Sequence, residues 1–409
     1  MNKKIIFKNT AWMSVGQFVG RGIGFLYYIF LARYLSVSQF GVWNWVLGLG
    51  YNFYPLADFG IQRYILKHLP RNPDKKEEYL RKLLPLRLVL AIGSVFISCL
   101  LALVLGSLTK AGYMLIFGLA LLPYNLIFLY TSFRNAFEEM HVYGLVNIGV
   151  TLGYTLAGLI AMQLNLGLGW LFSSYFVGII ASFLILNSFV KESLISNWQW
   201  DMVLYKQILK DSWFFGLFLV LAVFYIRISL ILIGVLLGDY QAGIYGAASK
   251  FVEAGILFPQ SIAIAFFPSF SKLFISERKK LLKIYLQTLP VLLAAAIPFW
   301  AVMWFGGKYI IPAVYGKDYL AAVPVFRLMG VLMILFFVNS LADNVIQNSN
   351  QVKKFLPLRL MNFLFALIVG IIIIPKMGVI GGVWTLIIGE IYGFVVNNWY
   401  VMKIINYEL

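Results

Sequence analysis

The chain has 409 residues, 61% of them hydrophobic and only 12% charged, with a mean hydropathy of +0.86. A soluble globule carries about 45–50% apolar residues, so this composition excludes one and indicates a polytopic membrane protein. The formal charge of +17 invites a nucleic-acid reading, but the basic residues collect in short segments between apolar runs, as membrane orientation requires. No nucleic acid is expected as a partner.

A bilayer core of roughly 30 Å demands about 20 apolar residues per spanning helix. Runs of that kind fall at 11–32, 41–65, 85–106, 112–133, 144–164, 168–190, 212–238, 242–268, 285–306, 322–346, 357–374 and 378–402. The pattern predicts an all-α protein of about twelve transmembrane helices. Lys3, Lys4 and Lys8 before the first run imitate a signal peptide. That run is too long and lacks a small-residue cleavage site, so it is read as a retained helix.

The first two runs carry polar groups where hydrocarbon is expected. Ser14, Gln17, Arg21, Gly24 and Tyr28 share one helical face of the first, because spacings of three and four follow the 3.6-residue turn. Asn44, Gly48, Tyr51, Asn52, Pro55, Asp58 and Gln62 repeat the pattern on the second. An arginine at mid-span costs about 2.5–3.5 kcal/mol on the insertion scale, so Arg21 faces a wet space, pairs with Asp58, or snorkels to a headgroup. Gly16, Gly20 and Gly24 form two overlapping GxxxG patterns, which let another backbone approach closely.

Lys67, Arg71, Lys75, Lys76, Arg81, Lys82 and Arg87 follow the second run, whereas Lys110 stands alone after the third. Lys191, Lys206 and Lys210, the group from Lys272 to Lys283, and then Lys353, Lys354 and Arg359 mark the same side as the N-terminal lysines. By the positive-inside rule both termini are cytoplasmic. Loops on the other side are short, the longest running from Lys308 to Ala321. Asn147, Thr151 and Tyr154 mark the fifth span, Gly243, Gly246, Lys250, Glu253 and Gln260 share a face of the eighth, and Asn339, Asp343 and Gln347 line the tenth. Lys250 and Glu253 can pair at i,i+3. Glu390, near the centre of the twelfth, must pair, stay protonated or bind a cation.

Cys99 is the single cysteine, and His68 and His141 are the only histidines. There is no HExxH, no CxxC pair, no phosphate loop and no plausible triad, so no metal, cofactor or enzymatic chemistry is expected. A repeat appears when the chain is cut near 195/196: Arg33-Tyr-Leu-Ser-Val-Ser-Gln-Phe-Gly-Val-Trp43 matches Val235-Leu-Leu-Gly-Asp-Tyr-Gln-Ala-Gly-Ile-Tyr245, with Gln39 on Gln241 and Gly41 on Gly243. Arg21 and Arg227 precede the two segments at similar depth. Two six-helix lobes, 1–195 and 196–409, related by a pseudo-two-fold axis around a central cavity, are therefore expected. The cavity would hold Arg21, Arg227 and Lys250, with Arg63 nearer the cytoplasmic mouth, against Asp58 and Glu253. Such a field attracts phosphate, which an arginine fork binds bidentately.

Lys8-Asn-Thr-Ala-Trp12 with Gly16-Gln17, Leu31-Ala-Arg-Tyr-Leu35, Gln39-Phe-Gly41, Asp58-Phe-Gly60, and Arg134-Asn-Ala-Phe-Glu-Glu139 followed by Tyr143-Gly144 resemble the oligosaccharide flippases of the multidrug/oligosaccharidyl-lipid/polysaccharide exporter superfamily. The resemblance implies two lobes around a V-shaped cavity that opens alternately to each side and moves an undecaprenyl-diphosphate-linked oligosaccharide, such as an O-antigen repeat unit, from the inner to the outer leaflet of the cytoplasmic membrane. It implies a proton or sodium gradient as driving force, and other polysaccharide-assembly proteins as partners besides membrane lipids. Arg21, Arg63, Arg227 and Lys250 are then the substrate-binding candidates, and Asp58, Glu253 and Glu390 the candidates for ion coupling or charge balance. Two rivals stand beside this reading. A multidrug/cation antiporter of the same superfamily would show a dominance of acidic groups, and a membrane glycan polymerase or glycosyltransferase would need catalytic groups on a sizeable outer loop.

Overall fold

The computed structural model describes residues 3–188, 198–256, 258–259, 278–349 and 352–406. Gln260, Lys191 and Lys272 lie outside the described residues, as does the side chain of Ser14. The described residues form thirteen α-helices and no strand: α1 Lys3–Tyr34, α2 Val37–Asp58, α3 Ile61–His68, α4 Lys76–Leu105, α5 Leu108–Ala136, α6 Met140–Gln163, α7 Leu168–Ser188, α8 Met202–Leu236, α9 Asp239–Gly255, α10 Arg278–Tyr315, α11 Ala322–Asn348, α12 Val352–Met377 and α13 Val379–Asn406. Apart from the short α3, these are the twelve long helices expected from the apolar runs. Ten of them are long and apolar enough to cross a membrane.

The two that fall short are α2 and α9. Both are interior helices: Phe40, Trp43, Trp45, Val46 and Leu49 of α2 and Ala242, Ile244, Tyr245, Ala247 and Ala248 of α9 are buried by protein. A helix surrounded by other helices can use Trp, Asn and Gly where a lipid-facing one needs Leu and Ile. The contrast with α4 is direct. Val89, Ile92, Phe96, Leu100 and Leu103 are exposed along one stripe of α4, while Arg87, Ala91, Ser94, Ser98 and Ala102 are buried on the other, so one helix satisfies lipid and core at once.

Two corrections to the sequence reading concern helix ends. The second apolar run is broken: Phe59 and Gly60 have φ of 41° and 90°, and α3 starts anew, so Gln62 is not on the α2 stripe. Asp58 makes the break by accepting from the backbone N–H groups of Gly60 and Gln62 at 3.3 and 3.2 Å, an Asx-type turn that competes with helix continuation. The ninth run continues as helix to Tyr315, so Lys308 is helical rather than a loop residue.

Contacts divide the chain into two compact units, Met1–Tyr34 with Val46–Val220 and Leu35–Trp45 with Leu221–Leu409. Within the first unit α6 packs on α1 and α7, and α5 on α4 and α7. The GxxxG patterns explain the first of these contacts. A Cβ on Gly16 would meet the Gly144 Cα at 2.5 Å, one on Gly20 the Thr151 Oγ1 at 3.3 Å, and one on Gly24 the Tyr154 hydroxyl at 2.8 Å. Within the second unit α11 is the buried centre, against α9, α10 and α13, with Phe326, Met329, Leu332, Met333, Phe337 and Leu341 in its core.

In that same unit the start of α2 crosses the start of α9. A methyl on Gly41 would strike the Asp239 carbonyl, and one on Gly243 the Val37 carbonyl. Trp45 donates from Nε1 to the Ile231 carbonyl of α8 at 3.1 Å.

Candidate functional site

The C-terminal unit carries two charged clusters. In the first, Arg227 of α8 lies 3.1 Å from a Glu253 carboxylate oxygen of α9, and Lys250 lies 3.0 Å from the other oxygen. The pairing of Lys250 with Glu253 is the i,i+3 contact expected from spacing. Arg227 joins it because α8 and α9 are consecutive helices linked by a tight turn at Gly238, whose φ is 92°. The three side chains keep 21%, 31% and 26% of their surface exposed. Two cations thus share one carboxylate, on side chains that remain partly exposed. A small pocket lined by Arg227, Ser249, Glu253, Met329 and Phe336 adjoins it.

The second cluster lines a cavity of about 300 Å³ between α8, α11, α12 and α13, with Asn339, Asp343, Gln347, Arg359, Glu390 and Asn397 on its wall. Asn339 donates from Nδ2 to the Glu390 carbonyl at 2.9 Å and to its carboxylate at 2.5 Å. Asn397 donates to Asp343 at 3.2 Å, and Arg359 lies 3.6 Å from the same oxygen. Two carboxylates against one guanidinium give the cavity a formal charge of −1 with both acids ionised. Glu390 shares its chamber with Asp343 and Arg359. No group of three or more His, Cys, Asp or Glu among the described residues could hold a metal.

The N-terminal unit holds the remaining candidates. Asp58 is buried and paired with Arg87, whose Nη2 donates to Asn125 at 3.1 Å. Arg87 is 0% exposed, so it is not the loop cation that its place in the basic segment suggests. Its helix, α4, starts earlier and turns it inward. Arg359, likewise counted among the loop cations, belongs to α12 and to the cavity. Arg63 of α3 is exposed at the surface with its guanidinium 3.4 Å from the centre of the Phe215 ring, a cation–π contact. Arg21 is largely exposed on α1, within electrostatic range of Tyr143 on α6. The structure thus gathers Arg227, Lys250 and Glu253 into one cluster; Glu390 lines the cavity of the same unit, and Asp58, Arg63 and Arg21 belong to the other unit. Arg87, Arg359 and Asn125 are the polar partners in these surroundings that sequence reasoning missed.

Comparison with known proteins gives this geometry a context. Residues 6–274, more than half of the chain, match the polysaccharide biosynthesis protein family. Among solved structures, lipid II flippase MurJ in an inward closed conformation aligns over 96% of this chain and 89% of its own, with a TM-score of 0.74 and 16% identity. An inward-facing multidrug resistance MATE family transporter of the MOP superfamily aligns over 97% and 100%, with a TM-score of 0.71 and 13% identity. A MOP superfamily transporter from Pyrococcus furiosus, in which reverse polarity of the binding pocket suggests a different function, aligns over 98% and 96%, with a TM-score of 0.59 and 16% identity. An uncharacterized membrane protein of Methanocaldococcus jannaschii is 24% identical over 156 residues, 37% of this chain and 30% of that protein. This chain therefore spans under a third of that relative's length. The structural neighbours are transporters and a flippase, not enzymes, and the architecture is multi-pass. The chain belongs to the polysaccharide biosynthesis protein family and has the fold of the MOP superfamily transporters.

Proposed function

We propose that this protein is a flippase that moves a polyprenyl-diphosphate-linked oligosaccharide across the cytoplasmic membrane by alternating access, its halves 1–195 and 196–409 acting as pseudo-symmetric lobes and both termini cytoplasmic. The observation that carries the reading is the partly exposed Arg227–Glu253–Lys250 cluster, in which two cations share one carboxylate on membrane helices. An ammonium and a guanidinium held by one carboxylate are pre-organised for a diphosphate, which brings more negative charge than Glu253 does. Arg21 and Arg63 are the candidate cations of the N-terminal unit. Other polysaccharide-assembly proteins supply and receive the cargo.

Asp343 and Glu390 fit the coupling role. Buried carboxylates whose charge is only partly offset take up a proton or a sodium ion, and binding that favours one conformation shifts the equilibrium by its differential affinity. Asp58 balances Arg87 and has no such freedom. The same cavity favours a second reading, export of a cationic drug, because its net charge is negative.

The test compares surface glycan export in a strain lacking its own repeat-unit flippase. Arg227→Ala/Lys250→Ala, present at normal membrane levels, is expected to cut export by about tenfold or more, as loss of two charge-assisted contacts requires. Full export by that variant overturns the proposed grip on diphosphate, and gradient-dependent efflux of cationic dyes by the wild type favours the drug exporter.

A further inference from the structure

The α1–α6 seam described above puts Arg21 beside a polar stripe of α6. Tyr143, Asn147, Thr151 and Tyr154 lie at spacings of four, four and three, and the Thr151 hydroxyl donates to the Asn147 carbonyl at 2.9 Å. Two neighbouring helices of the same unit add rings to this face. Tyr54 of α2 and Tyr124 of α5 have centroids 5.5 Å apart, Tyr54 and Phe128 are 5.4 Å apart, and Phe128 meets Tyr143 at 6.4 Å. Tyr51, Tyr54, Tyr124, Tyr143 and Asn147 are all half-buried, and the Tyr54 hydroxyl is shielded without a hydrogen-bond partner among the described residues.

Three physical points narrow what such a face can take. Hydrocarbon offers nothing to phenolic hydroxyls and amides, so a half-buried row of them faces protein, water or a polar ligand rather than lipid tails. The carboxylate near these rings, Asp58, is buried and paired with Arg87, so it is not available to hold a cationic drug. The ring chemistry also matters: Tyr54, Tyr124 and Tyr143 are phenols, with Phe128 packed among them. Phenyl rings fill a core. Phenols in a half-exposed row stack on flat apolar faces and hydrogen-bond at their edges, which is the surface a pyranose presents.

We infer that Tyr54, Tyr124, Tyr143 and Asn147 form a carbohydrate-binding wall, with Arg21 at its margin for an anionic substituent of the headgroup. This rests on the flippase reading above and adds to it: sugar recognition lies on the N-terminal unit, and the Arg227 cluster of the other unit does not contribute to it. The wall accepts neutral or acidic sugars and disfavours amino sugars with a free ammonium.

The test uses the full chain in lipid nanodiscs, titrated with radiolabelled farnesyl diphosphate and with a set of farnesyl-diphosphate-linked mono- and disaccharides. At least one sugar-bearing compound is expected to bind wild type about tenfold more tightly than the bare diphosphate, and Tyr54→Leu/Tyr124→Leu to abolish that advantage. Tyr143→Phe, which keeps the ring and removes the hydroxyl, is expected to reduce it about threefold. In both variants the affinity for farnesyl diphosphate stays unchanged, which also reports intact folding. Wild-type protein that binds none of the compounds overturns the flippase reading itself. Binding of the bare diphosphate with no gain from any sugar, or a gain that the leucine pair retains, overturns the wall and leaves that reading standing. Should the leucine pair lose the bare compound as well, Tyr143→Phe decides: an undiminished sugar advantage there overturns the wall.

Discussion

Gly41 of α2 and Gly243 of α9 are each pressed against the backbone of the other's helix, Gly41 on the Asp239 carbonyl and Gly243 on the Val37 carbonyl. These are the two glycines that the internal repeat pairs by sequence.

A side chain at either position has nowhere to go, since the obstruction is main chain on both sides. Gly41→Ala and Gly243→Ala should each cost about 3 kcal/mol, the upper range for overpacking. Thermal unfolding of the purified protein followed by size-exclusion chromatography checks this. Gly22→Ala, at a helical glycine with open space around its missing Cβ, is the control and should not lower the midpoint, since alanine favours helix over glycine.

The Asp58–Arg87 pair makes a second prediction. Arg87→Met leaves a buried carboxylate without its partner and should destabilise by about 3–5 kcal/mol, whereas Asp58→Asn/Arg87→Met removes both charges and should recover most of that loss. The same unfolding assay reads both, and a double variant no more stable than Arg87→Met would show that the charge is not what the pair supplies.

A third prediction concerns pH. At the start of α8, Asp201 accepts from the Leu204 backbone N–H at 2.9 Å and pairs with Lys82 at 3.0 Å, and these contacts hold its carboxyl below the usual aspartate range. A lowered folded value means that the contribution is fully present above the ordinary aspartate range and is lost as the pH falls through the folded value. The unfolding midpoints of wild type and Asp201→Asn should therefore differ by a constant amount from about pH 5 to about pH 8 and converge below about pH 4. A gap that persists undiminished in acid would contradict the assignment.

Much of this architecture is legible in the chain. Run length gives the twelve long helices, the GxxxG spacing gives the α1–α6 contact, and i,i+3 spacing gives Lys250–Glu253, because each depends on local periodicity. Arg87 and Arg359 are not legible for a related reason. Both stand in basic segments at the edge of apolar runs, where a cation normally serves membrane orientation, and both turn inward to partners set by tertiary packing: Asp58 is 29 positions from Arg87. The turn at Phe59-Gly60 was obscured by apolar residues on either side. Its signal was Asp58 before a glycine two positions on, a helix-stop chemistry that periodicity overrides when the flanks are equally hydrophobic.

The interior position of α2 and α9 bears on how the chain enters the bilayer. A segment made of Trp43, Asn44, Trp45 and Asn52, or of small residues with Lys250 and Glu253, has too little greasy surface to leave an insertion channel by itself. Each must travel out with a more apolar neighbour, α1 for α2 and α8 for α9, so the hairpin rather than the single helix is the unit of biogenesis. Nascent chains arrested just after α2 or α9 would then remain carbonate-extractable if the preceding helix is removed.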